Sequence, residues 1–99
     1  MIRRIVVFKM KDFADGRTGD ENARMLAGMF NGLKEKLAFL ESIQAGVNIN
    51  GASDHHMGLT VVYRTEADID LYTNHPDHVV VKDFVGRIIE SRIIVDYEV

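Results

Sequence analysis

The stretch Ile2-Arg-Arg-Ile-Val-Val-Phe-Lys-Met-Lys11 decides the fold of this chain. Along an extended strand, alternate side chains point to the same face. The first face carries mostly apolar side chains together with one arginine: Ile2, Arg4, Val6, Phe8 and Met10. Ile5 and Val7 point to the other face. A strand that is apolar on both faces in its middle is typical of the centre of a sheet, so residues 2–11 are predicted to form a central first strand.

Strand and helix patterns alternate through the rest of the chain. After a turn signal at Asp15-Gly16, the stretch Thr18-Gly-Asp-Glu21 matches a capping box, in which two side chains satisfy free backbone amides at the start of a helix. Pro76 is expected to break the helix that begins near Thr65 and to open a second helical segment. The patterns predict strands over 2–11, 42–50, 57–64 and 91–98, and helices over 18–39, 65–75 and 76–89.

The order of these elements, βαββαβ, predicts an α+β fold of the ferredoxin-like type. In this fold a four-stranded antiparallel sheet carries its helices on one face only. The central strands are nevertheless apolar on both faces, and an uncovered apolar face is an interaction surface. We therefore expect a homodimer in which the open sheet faces of two copies pack together.

Composition narrows the class of protein. A chain of 99 residues is expected to form a single domain over 1–99. With a net charge of −3 and no basic face, it is not expected to bind nucleic acid. No apolar run approaches the roughly 18 residues that span a membrane, and Lys9 and Lys11 interrupt the apolar start, so neither a membrane helix nor a signal peptide is expected. The absence of cysteine excludes disulfides and zinc–thiolate sites and fits a cytoplasmic location.

The stretch Tyr72-Thr-Asn-His-Pro-Asp-His78 carries two of the four histidines and the only proline. His78 would lie in the first turn of the helical segment after Pro76, where the helix dipole disfavours a charged imidazole. A neutral imidazole can take a proton from carbon next to a carbonyl, and Tyr72 could donate a hydrogen bond to the enolate oxygen that forms. The alternative is structural: Tyr72 packs in the core with its hydroxyl satisfied, and His78 ties the helix break.

Other polar residues give weaker signals. Arg4, if it faces the helices, needs an anion, either a carboxylate such as Asp83 or an acidic group of a ligand. His75 is expected to end the first helical piece and is a candidate ligand contact. His55 and His56 lie in a hairpin loop, and no acidic residue completes a recognised metal-ligand spacing with the histidines, so no metal site is predicted.

Three stretches together resemble the stress-responsive A/B barrel domain family of the dimeric α/β-barrel superfamily: residues 2–11, Tyr72 to His78, and Ile94-Val-Asp-Tyr97. The resemblance covers nearly the whole chain. It implies a ferredoxin-like monomer whose sheet packs on a partner's sheet to form a barrel. Many members have no assigned activity, and some plant members are stress-induced. One plant member is a cofactor-free polyketide cyclase, whose acid/base tyrosine and histidine match Tyr72 and His78.

That cyclase has histidines where this chain has Arg4 and Met57. The resemblance thus implies Tyr72 and His78 as candidate catalytic residues, Arg4 and Met57 as candidate ligand contacts in addition to His75, and no cofactor. Two functions remain open: a homodimer that binds a small, partly apolar ligand between helices and sheet, or a cofactor-free polyketide cyclase-like lyase that performs aldol or enolisation chemistry. No residue argues specifically for a monooxygenase, as found in the wider superfamily.

Overall fold

The first strand lies at the centre of the sheet, as its two-faced apolar pattern predicts. The computed structural model describes residues 1–99. Its strands are β1 Ile2–Met10, β2 Phe13–Ala14, β3 Arg17–Thr18, β4 Ser42–Val47, β5 Met57–Tyr63 and β6 Ile89–Glu98. Its helices are α1 Gly19–Lys36, α2 Glu66–Asn74 and α3 Pro76–Ile88. Four strands form an antiparallel sheet in the order β4-β5-β1-β6, which is the predicted ferredoxin-like arrangement.

Local chemistry sets the start of α1. The amide of Glu21 donates to the Thr18 hydroxyl oxygen at 3.2 Å, and the amide of Thr18 donates to the Glu21 carboxylate at 3.0 Å, which confirms the capping box. Just before it, Asp15 and Gly16 adopt φ values of 52° and 76°. Two left-handed residues make the tight turn that joins β2 to β3, a hairpin that the sequence indicated only as a turn.

Strand β4 ends three residues earlier than predicted because asparagine side chains hold the loop after it. The Asn48 amide donates to the backbone carbonyls of Asn50 and His55, at 3.1 and 2.8 Å. The Asn50 amide nitrogen in turn donates to the Asn48 side chain at 2.7 Å. These bonds replace the ladder that would have continued the strand.

The core lies between the helices and one face of the sheet. A cluster of 21 buried residues fills it, including Val6, Phe8 and Met10 from β1 and Leu26 and Phe30 from α1. Val6, Phe8 and Met10 belong to the first face that the alternation of β1 predicts, and Leu26 and Phe30 lie one turn apart on α1.

The other face of the sheet, here called the open face, is not covered by any element of the chain. Neighbouring β1 and β6 present an apolar patch on it, formed by Ile5, Val7, Ile93, Val95 and Tyr97. The side chains of Ile93 and Val95 are 58% and 53% exposed. None of the helices is both long enough and apolar enough to span a membrane.

Candidate functional site

The site is built on a break between two helices. Pro76 occupies the first position of α3, where its missing amide hydrogen costs nothing. His75 before it is extended, with φ −64° and ψ 134°, as a residue preceding proline tends to be. The Asp77 amide donates to His75 Nδ1 at 3.1 Å and caps α3. The break sets Tyr72, near the end of α2, against His78, in the first turn of α3, with ring centroids 4.0 Å apart.

Tyr72 and His78 both line a cleft of about 400 Å³ between the helices and the β1–β6 side of the sheet. Most of its wall is apolar, and the residues that line it are Arg4, Val6, Phe8, Phe30, Leu59, Tyr72, Thr73, His78, Lys82, Val85, Gly86, Ile89, Arg92 and Ile94. A volume of this size falls within the range of small-molecule sites, about 300–1,000 Å³.

His78 is held as a neutral base. Its side chain is buried, and its Nδ1 lies 3.2 Å from the Thr73 carbonyl oxygen. Because a carbonyl only accepts, Nδ1 carries the hydrogen, and Nε2 is the unprotonated nitrogen. Burial lowers the pKa of His78, the Thr73 bond opposes that effect, and the charges of Lys82, Arg4 and Arg92 lower the pKa further.

Tyr72 supplies a hydrogen-bond donor. Its ring is buried and packs edge-on against Tyr63, with centroids 5.6 Å apart. Burial raises the pKa of Tyr72 well above its usual value, and the Arg4 charge offsets only part of this, so the hydroxyl stays protonated. The structural alternative predicted that the core would satisfy this hydroxyl, but no side chain or backbone group of the chain forms a hydrogen bond with it.

Arg4 is paired within the chain, but not with Asp83 as the sequence suggested. Its guanidinium donates to Asp96 from Nε at 2.8 Å and from Nη2 at 2.9 Å. Asp96 lies directly opposite Arg4 in the β1–β6 register, so the two side chains meet across neighbouring strands. This bidentate bond raises the pKa of Arg4 and lowers that of Asp96.

Tyr63 does not line the cleft but contacts two residues that do, Tyr72 and Arg4. The Arg4 guanidinium lies 5.5 Å from the centre of its ring. Its hydroxyl is buried and has no hydrogen-bond partner, and burial raises its pKa to about 12. The sequence did not indicate that Tyr63 lies near a site, because an aromatic side chain at the end of a strand is typical of a core position.

Two of the residues suggested as ligand contacts lie outside the cleft. Met57 is buried at the start of β5, where it pairs with Phe8 on β1 and Val47 on β4. His75 caps α3 and lies against Phe39, with ring centroids 6.4 Å apart. No three side chains of His, Cys, Asp or Glu lie together in a way that could hold a metal ion.

Two basic cleft residues, Lys82 and Arg92, were missed. Lys82 lies one helical turn after His78, a spacing visible in the sequence, and puts its charge near the imidazole. Arg92 is brought to the cleft by its pairing with Phe8 across β1 and β6. That pairing depends on strand register, which the sequence alone did not provide.

The chain is similar to known proteins over almost its whole length. The family model described as Stress Responsive A/B Barrel Domain matches residues 2–99. No curated protein matches the chain by sequence. Among solved structures, a dimeric protein of unknown function and ferredoxin-like fold from Bacteroides fragilis NCTC 9343 is 27% identical, with a TM-score of 0.80 over 99% of this chain and 95% of that chain.

Two more distant structures share the fold. A dimeric ferredoxin-like protein of unknown function from Thermobifida fusca is 18% identical, with a TM-score of 0.82 over 99% of this chain and 90% of that chain. The hydroxynitrile lyase from Passiflora edulis is 13% identical, with a TM-score of 0.77 over 99% of this chain and 92% of that chain. At these identities the likeness shows the fold alone.

The state of His78 gives a testable prediction. Its pKa in the folded chain lies below 6.5, so the unfolded chain takes up this proton first as the pH falls. Stability is therefore lost as the pH falls from about 6.5 through the lowered folded pKa. Long-range ¹H–¹⁵N NMR should show the Nδ1–H tautomer at pH 7 and a titration midpoint below 6.5. The imidazole signal that disappears in His78→Gln is assigned to His78, and the free energy of unfolding of this variant should depend less on pH in this range. An Nε2–H tautomer or a midpoint at or above 6.5 contradicts the assignment.

Proposed function

The chain belongs to the stress-responsive A/B barrel domain family, and from this premise we propose that it is a homodimer that binds a small, partly apolar ligand between its helices and its sheet. One observation carries the proposal: a cleft of about 400 Å³ has a largely apolar wall and both Tyr72 and His78 on its lining. Small-molecule sites combine these features, an apolar surface with a few polar groups that fix orientation.

The side chains of Tyr72 and His78 suit a carbonyl compound. The Tyr72 hydroxyl is a protonated donor without a partner in the chain, and His78 Nε2 is an acceptor. A carbonyl oxygen accepts a hydrogen bond, whereas the carbon or hydroxyl next to it can donate a proton. A ligand with both groups would therefore satisfy tyrosine and histidine together, while its apolar part covers side chains such as Phe8 and Val85.

Filling the cleft should weaken binding. A Cβ built on Gly86, which lines the cleft, meets no atom within 4 Å, so Gly86→Leu extends into open space without a clash at Cβ. In NMR titrations with phenylacetone, we expect this variant to bind at least about tenfold more weakly than wild type, a loss of about 1.4 kcal/mol.

The matched control for that variant is Gly28→Leu on α1. A Cβ at Gly28 also meets no atom within 4 Å, and Gly28 does not line the cleft. Both substitutions gain about 0.8 kcal/mol of helix propensity, so a difference between them reports the cleft and not the helix. Equal affinity of the two variants for phenylacetone would refute binding at this site.

The open face supports the dimer. Its apolar patch pairs residues of β1 with residues of β6 in register, Ile5 with Val95 and Val7 with Ile93. An exposed apolar surface formed by contiguous strands is a candidate interface. The related proteins from Bacteroides fragilis and Thermobifida fusca are described as dimeric.

Placing a charge on the open face should dissociate the dimer. We expect wild type to elute with the mass of two chains in size-exclusion chromatography with light scattering. Val95→Glu should elute as a monomer, because an unpaired carboxylate in an apolar interface has a large desolvation cost. Leu71→Glu is the control, since Leu71 is 55% exposed on α2, away from the sheet. A wild-type monomer, or a Val95→Glu dimer of unchanged affinity, would contradict this arrangement.

A second candidate function is that of a cofactor-free lyase or cyclase. The observation that favours it is the 4.0 Å approach of the Tyr72 and His78 rings inside the cleft. His78 Nε2 would take a proton from the carbon next to a substrate carbonyl, and Tyr72 would donate a hydrogen bond to the oxygen on which charge develops. The resulting enolate either attacks a second carbonyl of the same molecule in an aldol closure or is reprotonated. A lyase with this fold exists in Passiflora edulis.

Proton exchange tests the chemistry without knowledge of the natural substrate. Phenylacetone in deuterium oxide exchanges the hydrogens next to its carbonyl, and ¹H NMR follows their loss. We expect wild type to accelerate exchange above buffer, and Tyr72→Phe and His78→Gln each to lower the enzymatic rate by about 100-fold or more. A wild-type rate equal to that of buffer, in a sample that binds phenylacetone, would leave ligand binding as the function and exclude enolisation of this ketone.

A further inference from the structure

The cleft has the opposite charge to the chain as a whole. The chain contains 15 acidic and 12 basic residues, with a net charge of −3. The cleft, by contrast, is lined by three basic residues and by no aspartate or glutamate. Positive charge is thus concentrated at the one cavity where Tyr72 and His78 meet.

Only one of these three charges is compensated within the chain. Arg4 makes its bidentate bond to Asp96, which pairs its charge with a carboxylate. Lys82 and Arg92 have neither an ion-pair partner nor a side-chain hydrogen bond. Both are exposed, Lys82 on α3 and Arg92 on β6, so they line the cleft from two separate elements.

Three other basic residues of the chain form ion pairs at the surface. Lys9 bonds Asp54 at 3.1 Å, Arg64 bonds Glu41 at 2.9 Å, and Arg87 bonds Asp15 at 2.9 Å. In each case a carboxylate of the chain takes the charge. Other exposed basic residues, such as Arg24, also lack a carboxylate partner. Lys82 and Arg92 differ from them in that both line one cleft that no aspartate or glutamate lines, so one bound anion would meet both charges.

We propose that the ligand of this cleft is a small, partly apolar carboxylate, whose anionic group lies between Lys82 and Arg92 while the rest of the molecule extends along the apolar wall towards the polar pair Tyr72 and His78. The inference rests on the proposed ligand-binding function and names the chemical class of the ligand. Arg92 offers a planar fork of donors that matches a carboxylate, and Lys82 offers a compact charge. The apolar wall of the cleft takes the rest of the molecule.

The electrostatics around His78 agree with this placement. The charges of Lys82, Arg4 and Arg92, on α3, β1 and β6, each lower the pKa of His78, so all three lie close enough to act on the imidazole. From α2, the Thr73 carbonyl acts in the opposite direction. A bound carboxylate would offset the positive charges, and its arrival should therefore raise the His78 titration midpoint.

The test compares two probes that differ in charge but hardly in shape: 3-phenylpropionate and its neutral amide, 3-phenylpropanamide. We expect wild type to bind the carboxylate more tightly, with NMR shifts at Tyr72, His78 and Gly86. Lys82→Gln and Arg92→Gln should each weaken carboxylate binding by about fivefold, as for a partly exposed ion pair, and should weaken amide binding by less. Arg24→Gln, an exposed α1 residue outside the cleft, should leave both affinities unchanged.

The outcomes separate this inference from the proposed function. Equal binding of both probes in the cleft would overturn the carboxylate assignment and leave ligand binding intact. If Arg24→Gln loses as much affinity for 3-phenylpropionate as Lys82→Gln does, the assignment is also overturned, because carboxylate binding would then depend on the net charge of the chain and not on the cleft. If neither probe shifts cleft residues, the proposed binding function itself fails. A carboxylate preference that disappears only with the cleft variants, together with a raised His78 midpoint, supports the assignment.

Discussion

The absence of an amide hydrogen in Pro76 is the constraint on which the site depends. In one unbroken helix, residues 72 and 78 would be separated by six steps of about 100°, which places them on different faces. The break at His75–Pro76 ends α2 and restarts the chain as α3, and it brings the two rings to 4.0 Å. The same break caps α3 with the His75 side chain, so the geometry of the site and the stability of the helix start arise from one local feature.

The burial of His78 and the positive charges around it together explain why the cleft holds a neutral imidazole beside several cations. Burial disfavours the charged form of His78, and the nearby positive charges act in the same direction. Those charges favour negative charge on whatever occupies the cleft, whether a carboxylate or a developing enolate. Asp96 pairs with Arg4 and so compensates part of its charge, and the same bond joins β6 to β1 across the strand pair. The cleft is therefore electropositive although the chain is acidic.

Local signals in the sequence were sufficient to predict most of the fold. The two-faced pattern of β1, the Thr18–Glu21 capping box and Pro76 each act within a few residues, and each is found where expected. The short β2–β3 hairpin was missed because two-residue strands are too short to show alternation.

The site was harder to predict because its contacts join distant segments. Arg4 meets Asp96, and Arg92 reaches the cleft, only through the register of β1 with β6, whereas Met57 and His75 are held away from it by core packing and capping.

The proposed ligand site is the space around Tyr72 and His78. A crystal soaked in 3-(4-bromophenyl)propionate, with data collected at the bromine absorption edge, tests this directly because the anomalous signal locates the bromine without a model of the ligand. The expected result is a peak against the apolar wall between Phe8 and Val85, with the carboxylate facing Lys82 and Arg92. A cleft closed by its own side chains, with bromine bound only elsewhere or not at all, would contradict the claim.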